Sequence, residues 1–574
     1  MPDDGSQSRT SAATALAAAV GAASALAVAT RVVSAWNARA HDVHAAAHDE
    51  RASCANCAAA DHHDEDEDAR CHCADDGATR DARRPTTSTL ACPPPGSMGL
   101  PIIGETQDML GGRGRLHFHA ERVARHSQPG APPVKAFTTH YVGSPTVVSN
   151  DVAVNSAMFK AEQQERAVPG IAGLPRMLAG PHSIFVLTGA GHARMRRLVM
   201  RSFTPDAVRS HADAIDACVR QFLEGLAATC EADPAARLRS SEFRRLSVDA
   251  LCAAAFDADD VPREDRARIV ALFDDVAGAF VGLIPWPLPF TAARRGCVAR
   301  ETLVDIIKRI VDKRRAGAGA SRTSTSLLAR LVAAVDDEEE NAGGGADAGA
   351  RGALAADEIA DVMLALLYAG ADTSACFLST LASLSAEHAD VVRRLRDEVE
   401  ATLGSDASAP LDPVALTRAP FLNAVVNEGL RLVPPLLNTV RRATCEIPIP
   451  GTSWTIPTGW KFMTSLVPAH HDDAFWGEGA ATRFDPDRFL AKQQADAARL
   501  GYFAPFGAGT RMCAVSVPLP WHRSTGARLG TDPFAGRAAR QARDAPVPRA
   551  PRPVVRVPRA APRAAHRLHD APRD

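Results

Sequence analysis

The sequence lacks the features that mark several large protein classes. Aromatic residues make up only 5% of its 574 positions while alanine is abundant, which indicates GC-rich coding DNA rather than a functional demand. The formal net charge of −2 excludes a globally basic nucleic-acid-binding protein. Twelve cysteines in so long a chain do not make a disulfide scaffold. There is no internal repeat and no flavin- or dinucleotide-binding motif, whereas an apolar fraction of 46% is typical of a globular core.

Residues 1–37 contain a long uncharged stretch. Ser11–Thr30 carries no charge, and Arg31 follows directly. The stretch has about the 20 residues that a helix needs to cross a bilayer, although its alanine content makes it only moderately apolar. Three interpretations stay open: a signal anchor, an organelle transit peptide, which two early aspartates disfavour, and an alanine-rich helix. An anchor here predicts a membrane protein, with the endoplasmic reticulum as the expected location and a plastid as the alternative. Because Arg31 and Arg39 follow the anchor, the rest of the chain is expected on the cytosolic side.

Residues 38–90 are polar and rich in His, Asp, Glu and Ala. Possible metal ligands in this segment are Cys54, Cys57, His62, His63, Cys71 and Cys73. Cysteine and histidine at such spacing could hold zinc. Because no hydrophobic pattern nearby could build a folded module around these ligands, we expect a disordered linker and keep a zinc site as the alternative.

The sequence predicts that structure begins near the run Pro93-Pro94-Pro95-Gly96. From residue 91 to 514 the hydrophobic period is mostly helical, with short strand-like pieces, so we expect a mainly α fold with small β-sheets (α+β). The stretch from Arg294 to Arg315 predicts an amphipathic helix packed on a core. The Glu-, Gly- and Ala-rich stretch from Asp337 to Arg351 predicts a surface loop.

One short motif carries the chemistry. It reads Phe506-Gly-Ala-Gly509-Thr-Arg511-Met-Cys513. A cysteine thiolate can ligate haem iron and donate electron density that favours cleavage of an O–O bond. Such a sulfur needs shelter and nearby backbone amides, and glycines let the backbone approach closely. Arg511 is placed to pair with an anionic group beside the metal.

The whole string resembles the haem-binding loop of the cytochrome P450 family, and four further motifs follow the family's order. The resemblance runs from about Pro93 to Ala514. It implies the cytochrome P450 fold and haem b, with Cys513 as the axial iron ligand. It also implies that Phe506, Gly509 and Arg511 belong to the haem-binding loop.

The first of these motifs is Ala369-Gly370-Ala371-Asp372-Thr373-Ser374, inside an apolar helix. A helical glycine costs about 1 kcal/mol, so Gly370 indicates that something bulky approaches the backbone. In the family this helix crosses the haem face. The resemblance implies that Asp372 and Thr373 are catalytic and deliver protons for O–O cleavage. The alternative is a kinked helix whose threonine bonds its own backbone.

The second motif is Glu428-Gly-Leu-Arg431, with both charges on one helix face. The family buries this pair with an arginine from a later loop, and the position that matches is Arg488. The resemblance therefore implies a structural triad in which all the buried charges are paired.

The remaining motifs supply expected contacts to the haem propionates. Arg441 lies shortly after the predicted helix end at Pro434-Pro435. We choose it over the adjacent Arg442 on spacing alone. His192 and Arg196 lie one turn apart and resemble the family's helix near the other propionate. The alternative for this second pair is an ordinary basic helix.

Two scaffold segments, Pro94–Thr106 and Ile456–Lys461, resemble the branch of sterol, brassinosteroid and retinoic-acid hydroxylases. The resemblance implies a monooxygenase that inserts one oxygen atom of O2 into an apolar substrate such as a sterol, a retinoid or carotenoid, or a terpenoid. The expected electron donor is an NADPH-dependent reductase or a ferredoxin. The alternatives are a haem-thiolate isomerase or dehydratase, which usually lacks the acid–alcohol pair, and an inactive haem-free product.

The match breaks after Ala514. The family expects a glycine two residues after the ligand and then a long apolar helix, but here Val515 opens an Arg/Pro-rich tail, residues 515–574, that predicts disorder. Val515-Ser516 is what the codons GTG-AGT encode, a sequence typical of a splice donor. We therefore hypothesise a retained intron or a shifted frame, which a spliced transcript encoding this same tail would contradict. Without the helix, the thiolate would lack one apolar wall.

Overall fold

The structure is a computed structural model. It describes residues 92–99, 104–106, 108, 114–128, 132–141, 143–171, 173–233, 235–257, 261, 263–280, 286–316, 324–341, 354–406, 411–490 and 501–514. The predicted anchor (1–37), the predicted linker with its possible zinc ligands (38–90) and the predicted tail (515–574) lie outside these residues. The chain separates into the units Met1–Pro533 and Phe534–Asp574, and all described residues belong to the first.

Helices dominate the described residues, as the hydrophobic period predicts. They are α1 (Gly114–His126), α2 (Val152–Gln163), α3 (Leu174–Ala179), α4 (Gly189–Arg201), α5 (Pro205–Ser210), α6 (Ala212–Ala232), α7 (Ser240–Ala255), α8 (Arg263–Phe280), α9 (Ala292–Arg315), α10 (Leu327–Asn341), α11 (Ala356–Glu387), α12 (Ala389–Leu403), α13 (Pro413–Thr417), α14 (Pro420–Leu432), α15 (Val467–His470) and α16 (Asp473–Trp476). Two short 3₁₀ helices span Pro486–Phe489 and Gly509–Arg511.

Local sequence signals set several helix ends. The Asp151 carboxylate accepts a hydrogen bond from the Val154 N–H at 3.0 Å and caps α2. Thr291 caps α9 in the same way. Helix α14 ends at Leu432, just before Pro434-Pro435, because a proline restricts the residue that precedes it.

Strands are few and short. They are β1 (Ala136–Tyr141), β2 (Ser144–Ser149), β3 (Ala167–Pro169), β4 (Asn438–Ala443), β5 (Ile447–Pro448), β6 (Thr455–Ile456) and β7 (Lys461–Ser465). Five of them form one sheet in the order β1-β2-β7-β4-β3, in which only the β2–β7 pair is parallel. Strands β5 and β6 form a separate antiparallel pair.

The largest hydrophobic core lies between α7, α8, α9, α10 and α11. Helix α9 buries Ile307, Ile310 and Val311 there, as predicted for an amphipathic helix. Among the described helices, α11 is the one whose length and hydropathy suffice to cross a membrane, a test that a core helix also passes. The predicted start of the surface loop at Asp337 is wrong, because α10 continues to Asn341. Its last turn is rich in glutamate, which is a good helix former.

Candidate active site

The cysteine loop, residues 501–514, closes on itself. The Cys513 N–H donates to the Phe506 carbonyl at 3.0 Å, so the two ends of the motif meet. Gly509 has a φ of +75°, and a Cβ atom there would lie 2.9 Å from the Phe159 carbonyl oxygen of α2. Glycine meets both demands because it has no Cβ and tolerates positive φ. The loop therefore packs its backbone directly against α2, and the Cys513 side chain stays partly exposed.

Arg511 links this loop to two other segments. Its Nε contacts the Glu162 carboxylate of α2, its Nη1 donates to the Ile184 carbonyl at 2.8 Å, and its Nη2 donates to the Leu187 carbonyl. The other oxygen of Glu162 accepts from Arg441 Nε at 2.8 Å. Burial alone would raise the pKa of Glu162, but Arg441 and Arg511 outweigh it and hold that pKa below its usual range. Glu162 thus joins both arginines that the sequence predicted for anion binding.

His192 and Arg196 lie on α4 beside the same cluster. Burial, reinforced by the positive charge of Arg511, lowers the pKa of His192 to about 4. Burial also lowers the pKa of Arg196, and the negative charge that Cys513 can carry acts in the opposite direction. The cluster therefore contains a neutral histidine and a half-buried guanidinium.

The charges around Cys513 are compatible with haem b. Arg196, Arg441 and Arg511 carry three positive charges, and Glu162 carries one negative charge. Two positive charges remain, which equals the charge of two propionates, and a thiolate sulfur is a suitable iron ligand. The residues present therefore fit the group that the resemblance implies.

The predicted triad is buried. Both Glu428 and Arg431 have 0% exposed side chains, and Arg431 Nε and Nη2 each donate to a Glu428 oxygen at 2.7 Å. Arg488 Nε lies 3.4 Å from Glu428 Oε1. The guanidinium of Arg488 also donates to the Trp476 and Ala480 carbonyls at 2.8 and 2.7 Å. The structure therefore brings together three residues that the sequence separates by up to 60 positions, with the one carboxylate of Glu428 facing two guanidinium groups.

His470 joins this triad to the cysteine loop. Its Nδ1 lies 3.2 Å from the Arg431 carbonyl, so this nitrogen is the donor, and its Nε2 accepts from the Ala504 N–H at 3.1 Å. The second bond requires the neutral ring, because Nε2 cannot accept once it carries a proton. Burial, with smaller effects of His471 and Arg431, lowers the pKa of His470 to about 3.

These buried histidines predict acid lability. In the folded protein the pKa of His470 is about 3, and burial lowers the pKa of His119 to about 4. Both values lie below the pKa of 6.5 that a histidine has in the unfolded chain. As pH falls below 6.5, the unfolded chain binds protons that the folded chain does not, so each histidine removes about 1.4 kcal/mol of stability per pH unit. Urea unfolding at pH 7, 6 and 5 measures this slope. The variant His470→Gln should lose less stability per pH unit than wild type, by the contribution of one histidine. An unchanged slope would contradict a neutral, buried His470.

The acid and alcohol predicted on α11 each have another partner. Asp372 Oδ1 accepts from Arg244 Nε of α7 at 2.8 Å, and the Thr373 hydroxyl donates to the Ala369 carbonyl at 2.6 Å. The bulky neighbour of Gly370 is Leu251 of α7, because a Cβ at this glycine would lie 2.8 Å from both Leu251 Cδ atoms. The close approach is therefore helix against helix.

A cavity of about 250 Å³ adjoins this part of α11. Its walls come from α7, α8, α11 and the segment before α4, and they are Phe185, Arg244, Val248, Phe273, Ala277, Phe280, Tyr368, Ala369, Ala371 and Asp372. Most of these residues are apolar. Such a lining favours an apolar ligand with few polar groups.

Four residues of this region were missed by the sequence analysis: Glu162, Arg244, Tyr368 and His470. Glu162 sits in Lys160-Ala-Glu-Gln-Gln-Glu, which is typical of a solvated helix end. Arg244 and Tyr368 belong to helices whose periodicity indicates a core face but not which neighbour each side chain meets. No local signal distinguishes the four from ordinary helical residues.

Comparisons with known proteins identify the family. The family model described as cytochrome P450 matches residues 93–514, which is more than half of the chain and ends one residue after Cys513. Abscisic acid 8'-hydroxylase 1 of Arabidopsis thaliana is 27% identical over 425 residues, covering 73% of this chain and 80% of the relative. Cytochrome P450 85A1 of Brachypodium distachyon is 26% identical over 422 residues, covering 73% and 82%.

A solved structure shows the same fold. Retinoic acid bound cyanobacterial CYP120A1 matches with a TM-score of 0.61 and 24% identity, covering 74% of this chain and 88% of that one. The predicted mainly α fold with small sheets is confirmed. Family membership implies a cysteine-ligated haem and the use of O2, a substrate and a redox partner. The chain belongs to the cytochrome P450 family and is a monooxygenase.

Proposed function

We propose that this monooxygenase inserts one oxygen atom of O2 into an apolar substrate of the isoprenoid type: a sterol, a retinoid or carotenoid, or a terpenoid. The observation that carries the proposal is the apolar cavity beside Asp372. Two relatives support the substrate class, since one is named for abscisic acid and another was solved with retinoic acid bound.

We propose haem b as the cofactor, with Cys513 as its axial ligand. The Phe506 carbonyl and the close packing of Gly509 keep the sulfur in a fixed bend. Arg511, Arg441, Arg196 and His192 are the residues that would hold the propionates. When bound, the haem supplies activation of dioxygen, which the thiolate favours by donating electron density.

Asp372 and Thr373 are proposed to handle the protons of the reaction. The Asp372 side chain is 54% exposed and borders the cavity, so it can exchange protons with water. Arg244 Nε lies 2.8 Å from Asp372 Oδ1 and orients this carboxylate. The exposed Thr373 hydroxyl donates to the Ala369 carbonyl in this structure and would give its proton to the reaction after rotation about the Cα–Cβ bond. Asp372 would then pass to Thr373 a proton that it takes up from water.

Turnover with isotopically labelled dioxygen tests the function. Protein supplied with NADPH and a reductase, or alternatively with a reduced ferredoxin, is given sterols, retinoic acid and abscisic acid in turn. Uptake of one labelled oxygen atom by one of these compounds is the expected result. If no labelled oxygen is taken up, an organic hydroperoxide is supplied without NADPH, and its rearrangement or dehydration would favour the isomerase or dehydratase. Protein without haem absorbance would favour the inactive product.

We also propose that the protein is membrane-associated, in the endoplasmic reticulum or alternatively in a plastid. Besides the predicted anchor in residues 1–37, the support is an apolar surface between α8 and α9. There Trp286, Leu288 and Phe290 are exposed, Phe290 to 98%. Residues 281–298 contain two arginines and no acidic residue. Exposed aromatic side chains beside basic ones suit the interface of an anionic bilayer.

Trp286 is therefore expected to enter the bilayer interface. The full chain is bound to vesicles of phosphatidylcholine and phosphatidylserine with or without brominated acyl chains. Subtracting the fluorescence of the Trp286→Phe variant from that of wild type gives the signal of Trp286. Brominated lipid should quench this signal. The corresponding signal of Trp460, which packs against the sheet core, serves as the control. Equal quenching of the two signals would contradict a membrane contact at this loop.

We propose four segments: an anchor or targeting segment (1–37), a linker (38–90), the catalytic body (91–514) and a tail (515–574) that replaces a packed helix. The support comes from faces that the described residues leave uncovered. Helix α6 contains no buried residue and exposes Ile215 and Leu223, and no residue of α11 beyond Ala375 is buried. Apolar faces of this kind usually pack against a further element.

A further inference from the structure

The segment that connects α3 to α4, residues 180–188, contributes Phe185 to the wall of the cavity. It consists of short turns. The Phe185 N–H donates to the Ser183 hydroxyl at 3.3 Å, and the Val186 N–H donates to the Ser183 carbonyl at 3.0 Å. Ser183 is completely buried. A connecting segment takes its position from the rigid elements that it contacts, so the anchors of this segment decide where Phe185 lies.

An ion pair between two helices anchors the start of the segment. The Asp361 carboxylate of α11 pairs with the Arg300 guanidinium of α9, and the Asp361 side chain is only 4% exposed. The second oxygen of Asp361 accepts from the His182 N–H at 3.0 Å. Arg300 Nε donates to the Leu178 carbonyl at 3.2 Å. The pair therefore binds the backbone on both sides of Gly180 and joins it to α9 and α11.

Gly180 permits this close approach. Its φ is +87°, and a Cβ atom there would lie 2.5 Å from Asp361 Cγ and would overlap the Arg300 guanidinium. Gly173, at the other end of α3, also has a positive φ, +60°, but a Cβ atom there would have no other atom within 4 Å. Both positions favour glycine for the backbone, and at Gly180 the ion pair also requires the absence of a side chain.

The cysteine loop anchors the same segment farther along. Arg511 donates to the Ile184 carbonyl at 2.8 Å and to the Leu187 carbonyl. Phe185 thus has one anchor on each side, the Arg300–Asp361 pair three residues before it and Arg511 around it. Of the described residues, Arg300 and Asp361 are not among those that line the cavity, so their effect on a ligand passes through Phe185.

We propose that Arg300 and Asp361 are positioning residues, which keep Phe185 in the cavity wall and thereby set the affinity for the substrate. The inference deepens the proposed function, on which it rests by taking this cavity as the substrate site. An apolar ligand is held by close contact with the wall, and dispersion attraction falls steeply when a gap opens. The substrate of this site is then a rigid, largely apolar molecule whose shape matches the wall.

Two alanine variants test the proposal as a matched pair. Gly180→Ala and Gly173→Ala each place a methyl group on a backbone of positive φ at one end of α3, but only the first displaces the chain from the ion pair. The full-length protein loaded with haem is titrated calorimetrically with β-ionone, a compact cyclic isoprenoid ketone. Gly180→Ala should weaken its binding about tenfold, through loss of part of one aromatic contact, and Gly173→Ala should change it less than about twofold.

Asp361→Asn provides a second variant with no added atom. It keeps the shape of the side chain but removes the charge that holds Arg300, so it should weaken β-ionone binding in the same direction as Gly180→Ala. If one of these two variants does not fold, the other still decides the question against Gly173→Ala. A role limited to stability would lower the melting temperature of both variants and leave the affinity for β-ionone as in wild type.

Hydrogen exchange of the segment provides a readout that needs no ligand. The His182 amide, which donates to the buried Asp361 carboxylate, should exchange about tenfold faster in Gly180→Ala than in wild type or Gly173→Ala. Unchanged exchange overturns the anchoring, and faster exchange with unchanged β-ionone affinity overturns its role in binding. No measurable binding of β-ionone to wild type also overturns the inference. Absence of the carbon monoxide band from every protein instead overturns the proposed haem site, while the exchange rates still report on the anchor.

Discussion

Cys513→Ala is expected to abolish the thiolate Soret band of the reduced, carbon monoxide-treated protein. Alanine has no donor atom, and the band position reports a sulfur ligand on the iron. The other contacts proposed for the haem, at Arg511, Arg441, Arg196 and His192, remain intact in this variant. Haem can therefore still associate, but without the thiolate signature. The measurement is a reduced carbon monoxide difference spectrum of wild type and variant at equal protein concentration.

Cys230→Ala is the matched control. Cys230 is exposed on α6, far along the chain from the cysteine loop, so its replacement should leave the band at wild-type height. A thiolate band that persists in Cys513→Ala would show that a different residue ligates the iron. The arrangement of arginines around this loop would then need another explanation.

Glu428→Ala is expected to give the largest loss of stability. The change leaves the guanidinium of Arg431, which is fully buried, without its carboxylate, and it removes an ion-pair partner of Arg488. Breaking a buried pair by removing one partner costs about 3–5 kcal/mol. Because a whole domain is stable by only about 5–15 kcal/mol, the variant should unfold at much lower urea concentration or fail to accumulate as soluble protein.

Glu478→Ala provides the comparison for this variant, since Glu478 is exposed in the same region of the chain. Its free energy of unfolding should change by less than about 0.5 kcal/mol. Glu428→Gln, which keeps the shape and one acceptor oxygen, should fall between the two. Equal unfolding midpoints for Glu428→Ala and Glu478→Ala would contradict a stabilising role of the triad.

The sequence alone determined features that depend on near neighbours along the chain. Glu428 and Arg431 are three residues apart, so helical geometry places them on one face before any tertiary contact forms. Gly509 and Cys513 belong to one short loop whose glycines permit a tight bend. Proline positions set the end of α14, and the apolar period of α9 set its buried face. Local backbone geometry is sufficient for each of these results.

Only the tertiary structure decided which distant residues meet. Glu162 lies between Arg441 and Arg511, Arg244 holds Asp372, and Tyr368 packs against Phe273, yet none of these side chains is distinctive in its local sequence. Such contacts depend on the angles at which helices cross, and those angles result from many weak packing interactions summed over the whole core. The spacing of residues along the chain does not predict the sum of these packing interactions. The contacts around the cysteine and the cavity could therefore be identified only in the folded protein.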